Sequence, residues 1–291
     1  MYKSRFVSIL IFLAALITFT IYMVRDISSD NKGPVITMTN SVAQVRAEDG
    51  QDAILADMAA RDNRDGDVSD TLIIESMSNF IEKGRRTATI AAFDSDSNVS
   101  KVTRDVVYTD YRSPLFKLKG PLRFPVGTSN ILSLLSAEDV IDGSLTDHIR
   151  LSSDYMISTG VPGDYQMVYS VTNSAGDTVK LPVTITIYNA AEDAGKPGLN
   201  LSAYLVNVKK GETLNLRSYV VNVIANQKTY TWNEGAGKFT TADGTDSLSG
   251  EEFRIEDTVD YGTTGVYEAV YHVKARNGQE RVLRLIVNVY E

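Results

Sequence analysis

Two kinds of hydrophobic pattern follow one another along the chain. From Phe6 to Val24 no charged residue interrupts a run of apolar ones, about 19 residues that at ~1.5 Å per helical residue reach roughly the ~30 Å of a bilayer's hydrocarbon core. Beyond Val24 no stretch keeps a helical period, and apolar residues alternate with polar ones as in half-buried strands. Tyr165, Met167, Tyr169 and Val171 share one side, a polar turn follows at 173–177, and Leu181, Val183, Ile185 and Ile187 alternate on the return. The C-terminus repeats this hairpin: Tyr267, Ala269, Tyr271 and Val273, a turn with Asn277-Gly278, then Leu283, Leu285, Val287 and Val289. Asn-Gly is a strong hairpin signal. An earlier counterpart runs Ala88, Ile90, Ala92, then a turn over 94–98, then a return ending in Val106, Val107 and Tyr108. Its ragged alternation predicts a bulge or an edge strand.

The segments 60–70 and 137–147 match in register: Asp62 with Asp139, Asp65-Gly66 with Asp142-Gly143, Val68 with Leu145. A repeat of roughly 78 residues suits a small sandwich rather than a solenoid unit. The endings of the hairpins set the boundaries. The sequence predicts a cytoplasmic N-terminus at 1–5, a transmembrane helix at 6–24, a polar tether at 25–33, domains at 34–112, 113–190 and 199–291, and a linker at 191–198. Each domain is expected to be two packed antiparallel sheets with mostly Greek-key connections.

Charge bears on orientation and on partners. Lys3 and Arg5 precede the apolar run, whereas Arg25 is followed by Asp26 and Asp30; this bias keeps the N-terminus cytoplasmic and sends the rest outside. A cleaved signal peptide is the competing reading, but its apolar region is shorter and ends in small residues. Here Ala14-Ala15 sits mid-segment and the exit side is bulky with Phe19, Ile21, Tyr22 and Met23, which favours a retained single-pass anchor in the cell membrane, with the lipid bilayer as partner of residues 6–24. Asp and Glu outnumber Lys and Arg by 37 to 29, a net charge of -8, which repels phosphate backbones and argues against nucleic acid. The absence of cysteine excludes disulfides, thiolate metal sites and Cys nucleophiles, so each domain is held by core burial and strand pairing alone.

The segment Asp139 to Gly143, with Gly163-Asp164-Tyr165, Tyr169, Val171 and Gly176 after it, resembles the bacterial surface immunoglobulin-like domains, the family found also in pesticidal crystal proteins. The third domain keeps Gly265-Val266-Tyr267, Tyr271, Val273 and Gly278 but lacks the Asp-Gly segment. The first keeps Asp62 to Asp67 but has Arg85-Arg86-Thr87 where the others have Gly-x-Tyr. The resemblance implies an all-β fold of tandem immunoglobulin-like β-sandwiches after one N-terminal transmembrane α-helix. It also implies use as spacers or adhesive arms on a cell envelope. Its motifs are turn and core residues, specific for fold and weak for activity.

Three groups of residues are candidates for chemistry. Asp62, Asn63, Asp65 and Asp67 crowd oxygen side chains into a short loop, and Asp94 and Asp96 complete a calcium site if the two loops meet. The order is not that of an EF-hand, and Asp-Gly and Asn form turns in their own right, so a solvated turn without a cofactor is the expected reading. Tyr230 and Trp232 share a strand face, so they are either a platform for a sugar ring or core residues between the sheets; the core is the commoner arrangement. His148 and His272 have no sequence neighbour that makes them chemical, and neither Gly-x-Ser-x-Gly nor His-Glu-x-x-His is present. A glycosidase needs paired carboxylates across a cleft, which small sandwiches rarely offer. The expectation is therefore no enzyme: a membrane-anchored extracytoplasmic protein whose modules space and bind an envelope protein or wall polymer. The alternative is a carbohydrate-binding envelope receptor using Trp232 and Tyr230.

Overall fold

The computed structural model describes residues 2–28, 31–152 and 157–291. The apolar run lies in helix Tyr2–Ser28, which extends through the first residues of the expected tether; Ser29 and Asp30 of that tether lie outside the described residues. Its stretch Phe6–Met23 has a mean hydropathy of 2.4, and no part of it is buried against the protein. The threonines within it are satisfied locally. Thr18 Oγ1 donates to the carbonyls of Ala14 and Ala15, and Thr20 Oγ1 to that of Leu16, which is the condition lipid imposes on polar groups.

The chain divides into two compact units, Met1–Tyr111 and Arg112–Glu291. After its helix, the first unit packs a sheet of Val35–Met38, Met58–Asp62 and Gly66–Asp67 against a second sheet. That sheet has the order Val42–Val45, Val99–Tyr108, Arg85–Phe93, Ile73–Met77. The second unit holds two such sandwiches. One has Gly143–Ser144, Leu135–Asp139 and Leu115–Leu118 over Arg150–Leu151, Gly163–Thr172, Thr178–Tyr188 and Arg123–Pro125. The other has Gly198–Leu201, Val220–Ala225, Lys228–Asn233 and Lys238–Thr240 over Leu205–Lys209, Glu280–Tyr290, Gly265–Lys274 and Phe253–Asp257. The fold is thus all-β, tandem immunoglobulin-like sandwiches after one apolar helix. In each sandwich the long return strand of the hairpin also takes a short early strand in parallel, a pairing that alternation alone does not reveal.

The expected raggedness of the first hairpin falls elsewhere. Arg85–Phe93 pairs with Val99–Tyr108 without a break, and the irregularity lies between Ile74 and Ser76 on the neighbouring edge strand. The alternation looks broken because a charged residue occupies an inner position. Arg104 is 3% exposed and lies 2.5 Å from Asp57, while it donates to the Ile54 carbonyl at 2.6 Å.

The Gly-x-Tyr motif has a geometric cause. Tyr165 Oη donates to the Val161 carbonyl at 2.9 Å, and Tyr267 Oη to that of Thr263 at 3.0 Å. Both rings fold back over the start of their own strand, the tyrosine corner of immunoglobulin-like sandwiches. A Cβ on Gly265 would stand 3.4 Å from the Tyr267 ring and hydroxyl, in van der Waals contact with them. In the first sandwich the register, counted back from the turn where Asp94 stands in the place of Asn173, lies one residue earlier than the sequence suggested: Gly84-Arg85-Arg86 occupies the Gly-x-Tyr positions, so the glycine is kept and Arg86 stands in place of the corner tyrosine. It is buried, and its guanidinium donates across the hairpin to Tyr108 Oη, at 3.1 Å from Nε.

The third sandwich has a core of its own and also contributes to that of the second. Leu205 and Ile286 of the third are buried in the cluster built on Phe116, Met167, Tyr169, Leu181, Val183 and Ile185 of the second, and Val266 packs beside them. Ile286 interrupts the inward series Leu283, Leu285, Val287, Val289, so it points out of its own sandwich and into the neighbour. The expected linker at 191–198 is correspondingly not a free tether. Asn189 Oδ1 accepts from the Ala191 amide, and Ala190–Asp193 makes a single helical turn. That turn delivers Asp193 to two guanidinium groups: Arg123 of the second sandwich at 2.8 Å and Arg281 of the third at 3.0 Å. All three side chains are mostly buried.

Burial pushes the Asp193 carboxyl upward, but hydrogen bonds and charge from Arg123 and Arg281 outweigh it and hold it below the usual carboxylate range. A lowered folded-state value means that the clamp's contribution is fully present above about pH 4 and is lost as pH falls through the lower folded value. Asp193→Asn leaves two part-buried cations unpaired. It should destabilise the second unit by about 2 to 3 kcal/mol, somewhat less than breaking a fully buried pair. Thermal melts of the variant at neutral pH, and a shallower loss of stability on acidification than in the wild type, check this.

Candidate binding surfaces

The acidic loops of the first two sandwiches are built alike. Asp62 ends the strand Met58–Asp62, and its Oδ1 accepts from the amides of Arg64 and Asp65 at 2.7 and 2.9 Å. Asp139 does the same for Ile141 and Asp142. Asp65 then takes the amide and hydroxyl of Ser95, as Asp142 takes those of Ser174. The carboxylates are thus spent on binding two loops together. The amides of Asp65 and then Arg64 hold the Asp62 carboxyl below its usual range, and the Ser69 hydroxyl and amide do so for Asp67. Asp96 pairs with Arg64 at 3.1 Å, Asp94 accepts from Asn98, and the Asn63 side chain is exposed. The two loops meet, as a calcium site would require. Yet among the described residues no three acidic or histidine side chains are arranged to hold a metal ion.

One difference separates the two loops. Asn173 donates its Nδ2 to Asp139 Oδ2 at 3.2 Å. Residue 94 occupies the same place, since Asn98 donates its amide to Asp94 Oδ1 just as Asp177 does to Asn173 Oδ1. Being a carboxylate, Asp94 has no hydrogen to give, and Asp62 Oδ2 is buried without a partner.

The expected aromatic pair separates. Tyr230 is fully buried in the core of the third sandwich, and its hydroxyl donates to Asp246 at 3.1 Å. Asp246 also takes Arg276 at 2.8 Å and Lys228 at 2.9 Å; Arg276 and then Lys228 hold its carboxyl far below the usual range. A tyrosine fixed in this way has no face for a ligand, so the two-ring platform is corrected to a single ring. Trp232, on the same strand nearer the edge of the sandwich, is half-buried. It lines a cleft of about 280 Å³ together with Arg217, Lys238, Phe239, Phe253 and Arg254. The cleft opens where the edge strands Lys238–Thr240 and Phe253–Asp257 of the two sheets face each other. Arg217 lies over the indole with its guanidinium carbon 4.2 Å from the ring centroid, and Phe239 meets the indole edge-on at 5.3 Å. These partners come from distant turns and strands, and no local motif marked them in the sequence.

Other candidates are committed elsewhere. His148 is exposed at the end of a short turn. His272 holds Nδ1 2.9 Å from Glu280 and lies beside Glu256. A wider groove of about 590 Å³ flanks the free edge of Val42–Val45, with Arg104 in its lining and that charge already met by Asp57.

No family model matches the chain. A stretch of 142 residues, 47% of the chain, is 26% identical to an uncharacterized 81.3 kDa protein of Acholeplasma phage L2, and the match covers 18% of that protein. Among solved structures, similarity extends to CBM51-2 in complex with GlcNAc and the INT domains of Clostridium perfringens ZmpB. That likeness is 17% identical with a TM-score of 0.25, over 61% of this chain and 42% of that one. The lipoprotein BT2262 of Bacteroides thetaiotaomicron is 16% identical with a TM-score of 0.23, over 60% and 98%. Mouse protocadherin PcdhgC3 EC1-3 is 15% identical with a TM-score of 0.19, over 73% and 79%. Likenesses at this level carry no argument about ligand or activity, and the fold assignment rests on the sheets themselves.

The mismatch at residue 94 yields a direct expectation. Asp94→Asn installs the donor that Asn173 provides to Asp139, at the place where Asp62 Oδ2 is buried without a partner. The melting temperature of the N-terminal sandwich should rise by roughly 3 to 6 °C at neutral pH, read by differential scanning calorimetry of the full chain.

Proposed function

We propose that this is a non-catalytic, membrane-anchored extracytoplasmic protein whose sandwiches act as a spacer and as a binding surface for an envelope protein or wall polymer. The observation that carries this reading is the helix Phe6–Met23, apolar and uncovered along its whole length, preceding β-sandwiches whose cores are complete without it. An uncovered apolar helix of this length is unfavourable in water and favourable in lipid. The cations Lys3 and Arg5 before it, and Asp26 after it, support a cytoplasmic N-terminus. Small strand-built modules in a row rarely offer the cleft that turnover needs and suit adhesion or spacing.

A second reading is favoured by the cleft at Trp232: recognition of a glycan. Aromatic rings suit the C–H face of a sugar, and Trp232 and Phe253 both line this cleft. Tyr230 has no part in it.

Protease added to intact cells should remove a C-terminal epitope tag from most of the protein, and deletion of residues 1–26 should release the remainder as a soluble β-rich fragment. Protection of the tag until the cells are permeabilised would contradict the topology.

A further inference from the structure

We infer that the cleft between Lys238–Thr240 and Phe253–Asp257 takes a negatively charged saccharide, a sugar ring bearing a carboxylate. The inference rests on the glycan reading above and narrows it. Every titratable side chain lining the cleft is cationic: Arg217, Lys238 and Arg254. This occurs in a chain whose net charge is -8, so the local sign opposes the average and attracts anions to the cleft. The three charges are not equally available. Arg254 is ion-paired with Glu256 and touches His272. Among the described residues, no carboxylate lies within ion-pair distance of Arg217 or Lys238.

The apolar half of the site is equally specific. Trp232 and Phe253 are half-buried and Phe239 is buried, so the wall is held by the core of the sandwich and needs no rearrangement to receive a ring. Arg217 is stacked on the indole, which fixes its planar fork at the mouth of the cleft, where it is preorganised for two parallel hydrogen bonds to a carboxylate. Lys238, beside Phe239 on the strand that pairs with Trp232's, supplies a second charge. Ser249 and the backbone at Gly237 and Gly250 complete the rim with groups suited to sugar hydroxyls. At about 280 Å³ the space is near the lower end of ligand pockets, about 300 Å³, enough for a sugar ring and too small for a folded segment of protein.

Trp232 is the chain's one tryptophan, so its fluorescence reports this cleft alone. The full chain in neutral-detergent micelles is titrated with an oligogalacturonate, with a neutral cello-oligosaccharide of equal length, and with inorganic phosphate. The expected result is a saturable change with the uronate at an affinity at least about tenfold above that for the neutral sugar. That affinity should fall about tenfold or more in Arg217→Gln/Lys238→Gln and weaken with added salt, and phosphate should have no comparable effect. Both substituted residues are exposed, and an unchanged melting temperature verifies that the variant is folded. Equal binding of the neutral sugar, an equal response to phosphate, or full affinity in the double variant overturns the inference while leaving the glycan reading open. No saturable response to either sugar overturns both.

Discussion

Burial of Leu205 and Ile286 from the third sandwich in the core of the second is the contact on which the C-terminal half depends. Without cysteine, nothing covalent holds these small domains, and each must find enough apolar area to offset the entropy of ordering its strands. Two of them do so in part jointly. The polar contacts at the seam follow the same logic. Glu268 accepts from Thr184 at 2.9 Å, Arg284 meets Asp164 at 3.0 Å, and Asn207 donates to the Phe116 carbonyl at 3.1 Å, so polar groups at the seam find partners across it. Asp193 with its two arginines closes the seam at the segment that joins the domains.

The sandwiches are variations on one plan, and the variations are informative because one four-stranded sheet in each has the same strand order. The corner tyrosine of the second and third becomes the buried Arg86 in the first, and the amide that completes the acidic loop of the second becomes a carboxylate in the first. Arg104 adds a third polar group to the interior of the same domain. Its interior otherwise holds Ile54, Met58, Ile90, Val106 and Tyr108 beside Ala60, Val68 and Ala92. The N-terminal sandwich therefore spends more of its interior on polar groups, while the C-terminal pair concentrates apolar burial.

Most of the architecture was legible in the sequence because strand period and turn chemistry are local. The hairpins ending at Val171 and Val273, the Asp-Gly turns and the apolar helix all follow from residues within a few positions of one another. Contacts made at a distance were not legible. Ile286 falls at an outward position of its strand's alternation, and only the neighbouring sandwich explains why it is apolar. Asp193 sat in a stretch whose Ala, Gly and Pro content resembles a linker, and its partners lie about 70 and 90 positions away in sequence. Tyr230 and Trp232 share a strand face as expected, but depth along the strand separates them. The sheet centre buries one and the sheet edge leaves the other beside Arg217, a neighbour that no spacing rule predicts.

The cleft at Trp232 is walled by the third sandwich's own core, and that sandwich is tied to the second through Leu205 and Ile286. Residue-resolved amide nitrogen relaxation of the full chain in micelles tests this most directly. The account predicts one rotational correlation time common to the strands Gly163–Thr172, Thr178–Tyr188, Gly265–Lys274 and Glu280–Tyr290. Two clearly different times, one for each sandwich, would contradict it.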